Sequence, residues 1–174
     1  MRPVTLYIAT SLDGFIARSD GSLDFLESVH VEGEDYGYGD FIAGIDTVVV
    51  GRKTYASVLN MGVAYPHVGK VVFVYSRRLT HTSDHTKVHA GSPVEHVRAL
   101  KSTPGRGIYC EGGADIAHQL LNAELIDHIV LSTIPVTLNN GVELFTGGKL
   151  PVGWLVNNRT TYPSGLIQTT YTRA

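Results

Sequence analysis

Short β-branched runs alternate along the chain with segments whose apolar residues recur at helical spacing. Val4–Ala9 is a short, mostly apolar run and reads as a buried strand. Thr10–Gly21 carries Ser, Asp and Gly, with the turn dipeptides Asp13-Gly14 and Asp20-Gly21, and reads as a loop. Tyr38, Phe41, Ile42 and Ile45 predict a helix around Glu34–Gly44, weakened by Gly37, Gly39 and Gly44. Thr47–Val50 is a strand that Gly51 ends, and Arg52–Leu59 a short helix. Lys70–Tyr75 is the next strand, and Thr86–Ala90 a short one. Ser92-Pro93-Val94-Glu95 is a capping box with proline at the first helical position, so Glu95–Lys101 is a helix, broken by Pro104-Gly105. Gly107–Cys110 is a strand, after which Gly112-Gly113 opens the helix Ala114–Asn122. Ile126–Ile134 is a strand stopped by Pro135, and Asn139–Leu150 a glycine-bearing loop. Trp154–Tyr162 and Leu166–Thr172 alternate polar and apolar residues around Pro163-Ser164-Gly165, which makes them a hairpin.

Strands alternating with helices over the first 134 residues predict a three-layer α/β fold, a mostly parallel sheet with helices on both faces. The closing hairpin adds antiparallel strands. At 174 residues the chain is expected to be a single domain spanning 1–174. Its composition, 43% apolar and 17% charged, excludes disorder. Fourteen Lys and Arg against sixteen Asp and Glu leave a net charge of −2, so no nucleic-acid or membrane-surface footprint stands out. The single cysteine, Cys110, rules out an internal disulfide. No apolar run approaches a membrane span, and the opening Met-Arg-Pro does not read as a signal peptide. A cytoplasmic location is expected.

Sheets of this kind bind ligands beyond the carboxyl ends of their strands. Gly51-Arg52-Lys53-Thr54 follows one strand, where a helix start supplies free N–H groups suited to a phosphate. An ordinary helix start with two solvated cations fits equally well. Ser76-Arg77-Arg78 follows the next, offering a hydroxyl beside a guanidinium or simply a polar turn. Glu111-Gly112-Gly113-Ala114-Asp115 follows a third, with paired glycines ahead of a helix and a carboxylate that needs a ligand or partner. Three such segments in order give places for a diphosphate and a third phosphate, which is what NADPH requires. No G-x-G-x-x-G follows the first strand, so the arrangement is not a Rossmann one. Asp13 places one carboxylate in the first loop, which can close over a ligand or be an Asp-Gly turn.

In this order, Ser11-Leu12-Asp13-Gly14-x-Ile16-Ala17, Gly51-Arg52-Lys53-Thr54-Tyr55, Ser76-Arg77, Glu111-Gly112-Gly113, Pro135 and Leu144-Phe145 resemble the dihydrofolate-reductase-like superfamily. The branch most similar is the reductase, or C-terminal, domain of the bifunctional deaminase-reductase of riboflavin biosynthesis. The resemblance implies that Ala9 and Ile16 border a nicotinamide. It implies that Gly51, Arg52, Lys53 and Thr54, together with Gly112, Gly113, Ala114 and Asp115, hold cofactor phosphates. Ser76 and Arg77 match the segment at the 2′-phosphate, which favours NADPH over NADH. Asp13 and Glu111 match acidic positions facing the substrate, where one of them binds it or feeds a proton. The substrate side further implied comprises Phe15, Asp35, Phe41 and Pro135. Asp35 stands about sixteen residues before Gly51, the spacing of the pterin-holding carboxylate of dihydrofolate reductases, but within the acidic run Glu32-Glu34-Asp35. Ser22-Leu23-Asp24-Phe25-Leu26 replaces the tryptophan-containing loop of those enzymes, Leu138-Asn139-Asn140-Gly141 follows Pro135, and no zinc-deaminase motif is present.

The expected activity is therefore an NADPH-dependent reduction of a C=N or C=O group in a small polar heterocycle or a ribosyl-type, pyrimidine- or pterin-like substrate. A nucleotide-binding protein without turnover, and a true dihydrofolate reductase that uses Asp35, are the alternatives. A homodimer is implied by the resemblance. His81, His85 and His89 are four apart, but Thr80–Ala90 reads as loop and strand, so no metal site is expected. His118 and His128 read as surface or packing residues, Cys110 as a small buried hydrophobe, Tyr36 and Tyr38 as pocket or core, and Trp154 as sheet packing or a dimer contact.

Overall fold

The computed structural model describes residues 1–62, 64–80, 82, 85–145 and 153–174. The chain opens with strands β1 (Val4–Ser11) and β2 (Phe15–Ala17), then a 3₁₀ turn at Asp24–Val29 and helix α1 (Tyr38–Ala43). Next come β3 (Ile45–Gly51), α2 (Arg52–Asn60), β4 (Val71–Tyr75), β5 (Thr86–His89) and α3 (Pro93–Lys101). β6 (Gly107–Gly112), α4 (Ala114–Asn122) and β7 (His128–Ile134) follow, and β8 (Val142–Glu143), β9 (Trp154–Thr161) and β10 (Ile167–Arg173) close the fold. Eight strands form one sheet in the order β5-β4-β3-β6-β1-β7-β10-β9, while β2 and β8 pair apart from it. Every pairing from β5 to β7 is parallel, and the β9–β10 hairpin runs antiparallel at the edge. This is the α/β architecture that the alternating elements predict.

Strand alternation divides the core. Val49, Ile108, Cys110, Val4 and Leu6 point to one face, where Val97 of α3 and Ile116, Ala117, Leu120 and Leu121 of α4 cover them. Val48, Val50, Val72, Val74 and Tyr109 point to the other, against Tyr38, Phe41 and Ile42 of α1 and Tyr55 and Val58 of α2. A third cluster, with Phe25, Val29, Ile134, Leu138 and Leu166, seats the 3₁₀ turn beside the end of β7. No helix among the described residues is long and apolar enough to cross a membrane.

Several boundaries differ from those read along the chain. The helix expected from Glu34 begins only at Tyr38, because the Asp35 carboxylate accepts from the N–H groups of Gly37 and Gly39 at 2.8 and 2.9 Å and turns the chain first. Gly37 there takes φ of +78°, a left-handed conformation that suits glycine. β1 runs on to Ser11 through its pairing with β7, and the loop expected at Thr10–Gly21 contains β2. The serine half of the capping box forms: the Ser92 hydroxyl accepts from the Glu95 N–H at 3.3 Å, with Pro93 in the first turn. His81, and 146–150 of the predicted glycine-bearing loop, lie outside the described residues.

Candidate functional site

β3 and β6 are neighbours in the sheet, yet α2 and α4, which follow them, pack on opposite faces. Such a divergence opens a crevice at the carboxyl ends of the two strands. Val50 pairs with Gly112, so Gly51 and Gly113, the residues capping α2 and α4, stand side by side. Their proximity explains the glycines. A Cβ on Gly51 would lie 3.2 Å from Ile116 Cγ1 and 3.4 Å from the Gly113 nitrogen, and one on Gly113 would lie 3.0 Å from Thr54 Oγ1. Neither helix receives a side-chain cap, in contrast to α3 with its Ser92. The first N–H groups of both helices therefore retain their donor capacity and the positive ends of the two helix dipoles meet. α2 has no acidic residue in its first turn, and Arg52 and Lys53 stand exposed there. Asp115, in the first turn of α4, turns its carboxylate to the Gln119 amide at 3.1 Å.

These helix starts line one end of a cleft of about 1060 Å³. Ala9 of β1 and Ile16 of β2 line it too, as do Tyr7, Tyr75, Tyr109 and Glu111. Glu111 owes its place to an irregularity in β6: Cys110 pairs with Val49 and Gly112 with Val50, which leaves Glu111 as the extra residue. The Tyr65 hydroxyl donates to Glu111 Oε2, and His67 Nε2 lies 3.3 Å from Glu111 Oε1. Both partners are buried. Burial, reinforced by the Glu111 charge, raises the phenols of Tyr65 and Tyr109 well above their ordinary value and that of Tyr38 likewise, so all three remain neutral donors. Tyr7, Tyr38, Phe41 and Tyr109 form an aromatic cluster behind this wall, with ring centroids 4.7 to 6.4 Å apart. Gln168 of β10 fixes it from below, donating to the Tyr7 hydroxyl at 2.9 Å and to the Tyr36 carbonyl at 3.1 Å.

Of the residues singled out from sequence, Ala9, Ile16, Gly51, Arg52, Lys53, Thr54, Glu111, Gly113, Ala114 and Asp115 come together on this cleft. Asp13, Phe15, Asp35, Phe41, Ser76, Arg77, Gly112 and Pro135 do not line it. Asp13 accepts from the Ser11 hydroxyl at 2.6 Å and from the N–H groups of Leu138 and Asn139 at 3.1 and 2.8 Å, so its carboxylate fastens one loop to another. Asp35 is spent on the turn before α1, in solvent. Ser76 accepts from the N–H groups of Arg78 and Leu79, and Arg77 is exposed just beyond β4, whose last residue, Tyr75, does line the cleft. Gly112 is buried with φ of +96°, joined to Gly113 by a cis peptide bond. Phe15 packs near Phe25 and Ile134, and Pro135 is exposed against the Gly165 turn.

Sequence reading missed Ser57 and Val58, which line the cleft, and the Tyr65–His67 pair behind Glu111, while His118, read as a surface or packing residue, lines the cleft as well. Ser57 and Val58 lie one helical turn beyond Thr54, and His118 one turn beyond Asp115, so helical spacing from the predicted phosphate residues would have found them. Of the histidines weighed as a metal set, His85 Nε2 faces the Tyr65 carbonyl at 3.1 Å and His89 stacks on His96 with centroids 3.9 Å apart. Cys110 is fully buried, and burial pushes its thiol up to about 12.

The residues present fit a dinucleotide phosphate chain. Two glycine-started, uncapped helices meet where added Cβ atoms would close the space, with two cations beside them.

The model of the RibD C-terminal domain matches residues 2–167. The uncharacterized protein YwjB of Bacillus subtilis is 37% identical, over 83% of each chain. A putative riboflavin biosynthesis protein from Shewanella sp. PV-4 has a structure similar at a TM-score of 0.88, with 32% identity and 99% of both chains covered. Dihydrofolate reductase from Enterococcus faecalis, complexed with NADP(H) and RAB-propyl, shares the fold at a TM-score of 0.68 and 17% identity, covering 98% of this chain and 96% of that one. The fold is thus the dihydrofolate-reductase-like one, and by the extent of the family match the chain belongs to the RibD C-terminal domain family.

Proposed function

We propose that this protein is an NADPH-dependent reductase that transfers a hydride to a C=N or C=O group of a small polar heterocycle or a ribosyl-type, pyrimidine- or pterin-like substrate. The observation that carries the reading is the meeting of two uncapped helix starts in a cleft that also holds Ala9, Ile16 and Glu111. When bound, the nicotinamide supplies the hydride. The chain's own contribution is binding, orientation and a proton. Backbone N–H groups at Arg52–Thr54 and Ala114–Asp115 bind phosphate oxygens, with Arg52 and Lys53 adding charge. Ala9 and Ile16 form the apolar rim of the nicotinamide site. Arg77, beyond β4, is the candidate contact for a 2′-phosphate. Glu111 accepts from a substrate N–H or, once it has taken up a proton from solvent, donates that proton to the reduced group's heteroatom. Asp13 keeps the Leu138–Asn139 turn in place at the substrate end.

Asp35, engaged with Gly37 and Gly39 outside the cleft, lends no support to a folate reductase. The test is consumption of NADPH, followed by absorbance, against dihydropterins, ribosylated aminopyrimidines and simple C=N and C=O acceptors. Reduction of at least one acceptor, abolished or strongly reduced in Glu111→Gln, is expected. NADPH binding with no acceptor consumed would leave a nucleotide-binding protein and defeat the reductase reading.

A further inference from the structure

Glu111 is a cleft residue whose two oxygens are both engaged from behind, by side chains that the proposed reaction does not use. Tyr65 and His67 come from the segment between α2 and β4, more than forty residues away in sequence. Both are buried, at 1% and 9% exposure, and their rings make edge contact at 5.7 Å. Tyr55 of α2 and Tyr109 of β6 pack against them in turn, at 4.8 and 5.8 Å. His67 takes φ of +73°, an unusual conformation for a residue other than glycine, and local strain of this sort concentrates where a side chain must be aimed. Among the described residues no lysine or arginine comes within ion-pair distance of Glu111, and His67 is its one cation-capable partner. Nor does the pair serve only to seal a void: an apolar residue at 111 would do that without burying a carboxylate, which is costly unless hydrogen-bonded.

We propose that Tyr65 and His67 are positioning residues for Glu111. They hold its carboxylate from the buried side and leave its remaining acceptor capacity for a ligand in the cleft, one that presents an N–H or protonated nitrogen. The inference rests on the reductase reading for what the ligand is, and on the geometry alone for the clamp. Loss of either donor lets the carboxylate turn or draw in water, and misplacement of a reacting group by about 1 Å costs on the order of a hundredfold.

Single variants, with His67→Ala and one double variant for comparison, test it. Tyr65→Phe keeps the ring and removes the donor; His67→Asn keeps an amide donor and tolerates the left-handed backbone; Glu111→Gln removes the charge. In the free protein, proton NMR should show an exchange-protected Tyr65 hydroxyl downfield of the amides, missing from Tyr65→Phe and displaced in Glu111→Gln. NADPH affinity should stay within about threefold in Tyr65→Phe, because the phosphate segments lie on other elements. On the acceptor the wild type reduces, Tyr65→Phe should lose roughly ten- to a hundredfold in turnover. His67→Asn should lose less than His67→Ala. Tyr65→Phe combined with Glu111→Gln should be no worse than Glu111→Gln alone, as expected when one residue acts through the other. Losses that multiply, full turnover in Tyr65→Phe, or loss of NADPH binding in parallel with turnover would overturn the proposal. A wild type that reduces nothing defeats the reductase reading instead; absence of the protected hydroxyl from that protein would then overturn the clamp on its own.

Discussion

Gly51→Ala is a change whose effects on binding and on folding can be measured apart. Gly51 has φ of −77° and ψ of 148°, which alanine adopts without strain, so backbone conformation does not forbid the substitution. Replacing glycine there restricts the unfolded chain and contributes about 0.4–1 kcal/mol in favour of the fold. Against this, the new methyl meets Ile116 Cγ1 at 3.2 Å and the Gly113 nitrogen at 3.4 Å, and crowding of this kind costs about 1–3 kcal/mol. The net loss is about 0–2.5 kcal/mol, a fall in Tm of less than roughly 10 °C for a chain of this size. The methyl nevertheless stands between the starts of α2 and α4, where the phosphates are proposed to lie. Losing one charge-assisted N–H bond to phosphate costs about 1.5–3 kcal/mol, which is about a 10- to 150-fold rise in Kd. Titration by nicotinamide fluorescence alongside thermal unfolding measures both quantities. A Kd within threefold of the wild type, with the fold intact, would refute the placement of the phosphates between the two helix starts.

Arg77→Ala should weaken NADPH by up to about fivefold while leaving NADH unchanged, since an exposed guanidinium contributes only modestly and only to the extra phosphate; equal weakening of both would exclude it from the 2′-phosphate site. Asp13→Asn should remove an acid-side component of stability. The Ser11 hydroxyl, with the backbone N–H groups of Leu138 and Asn139, holds the Asp13 carboxyl below its ordinary range. Its contribution is therefore complete above the unfolded value of about 4 and fades as pH falls through the lower folded one, and Tm measured against pH should lose that limb in the variant. Cys110, buried and with its thiol pushed up to about 12, should resist Ellman's reagent in the native protein and react once on unfolding. Rapid native labelling would show that β6 opens.

Much of this arrangement was legible along the chain because it depends on local chemistry. Glycines at 51 and 113 end strands and start helices, and the Ser92-Pro93 capping box marks α3. Parallel pairing of β3 with β6 then brings two of these marked segments together. What escaped depends on contacts between distant residues. β2 is three residues long and exists only through its pairing with β8, more than a hundred residues later. The acidic residues Asp13 and Asp35 look alike in sequence to ligand-binding carboxylates, but each is satisfied by backbone N–H groups outside the cleft. Glu111 was visible as a carboxylate in want of a partner; that the partners are Tyr65 and His67, from an aperiodic segment between Gly62 and Gly69, required the fold.

We propose that the cleft beyond β3 and β6 holds a phosphorylated nicotinamide dinucleotide. Titrating the wild-type protein with NADPH and separately with NADH, by nicotinamide fluorescence, tests it directly. Saturable binding of NADPH, tighter than that of NADH, is expected; no binding of either nucleotide would show that the cleft is not a dinucleotide site.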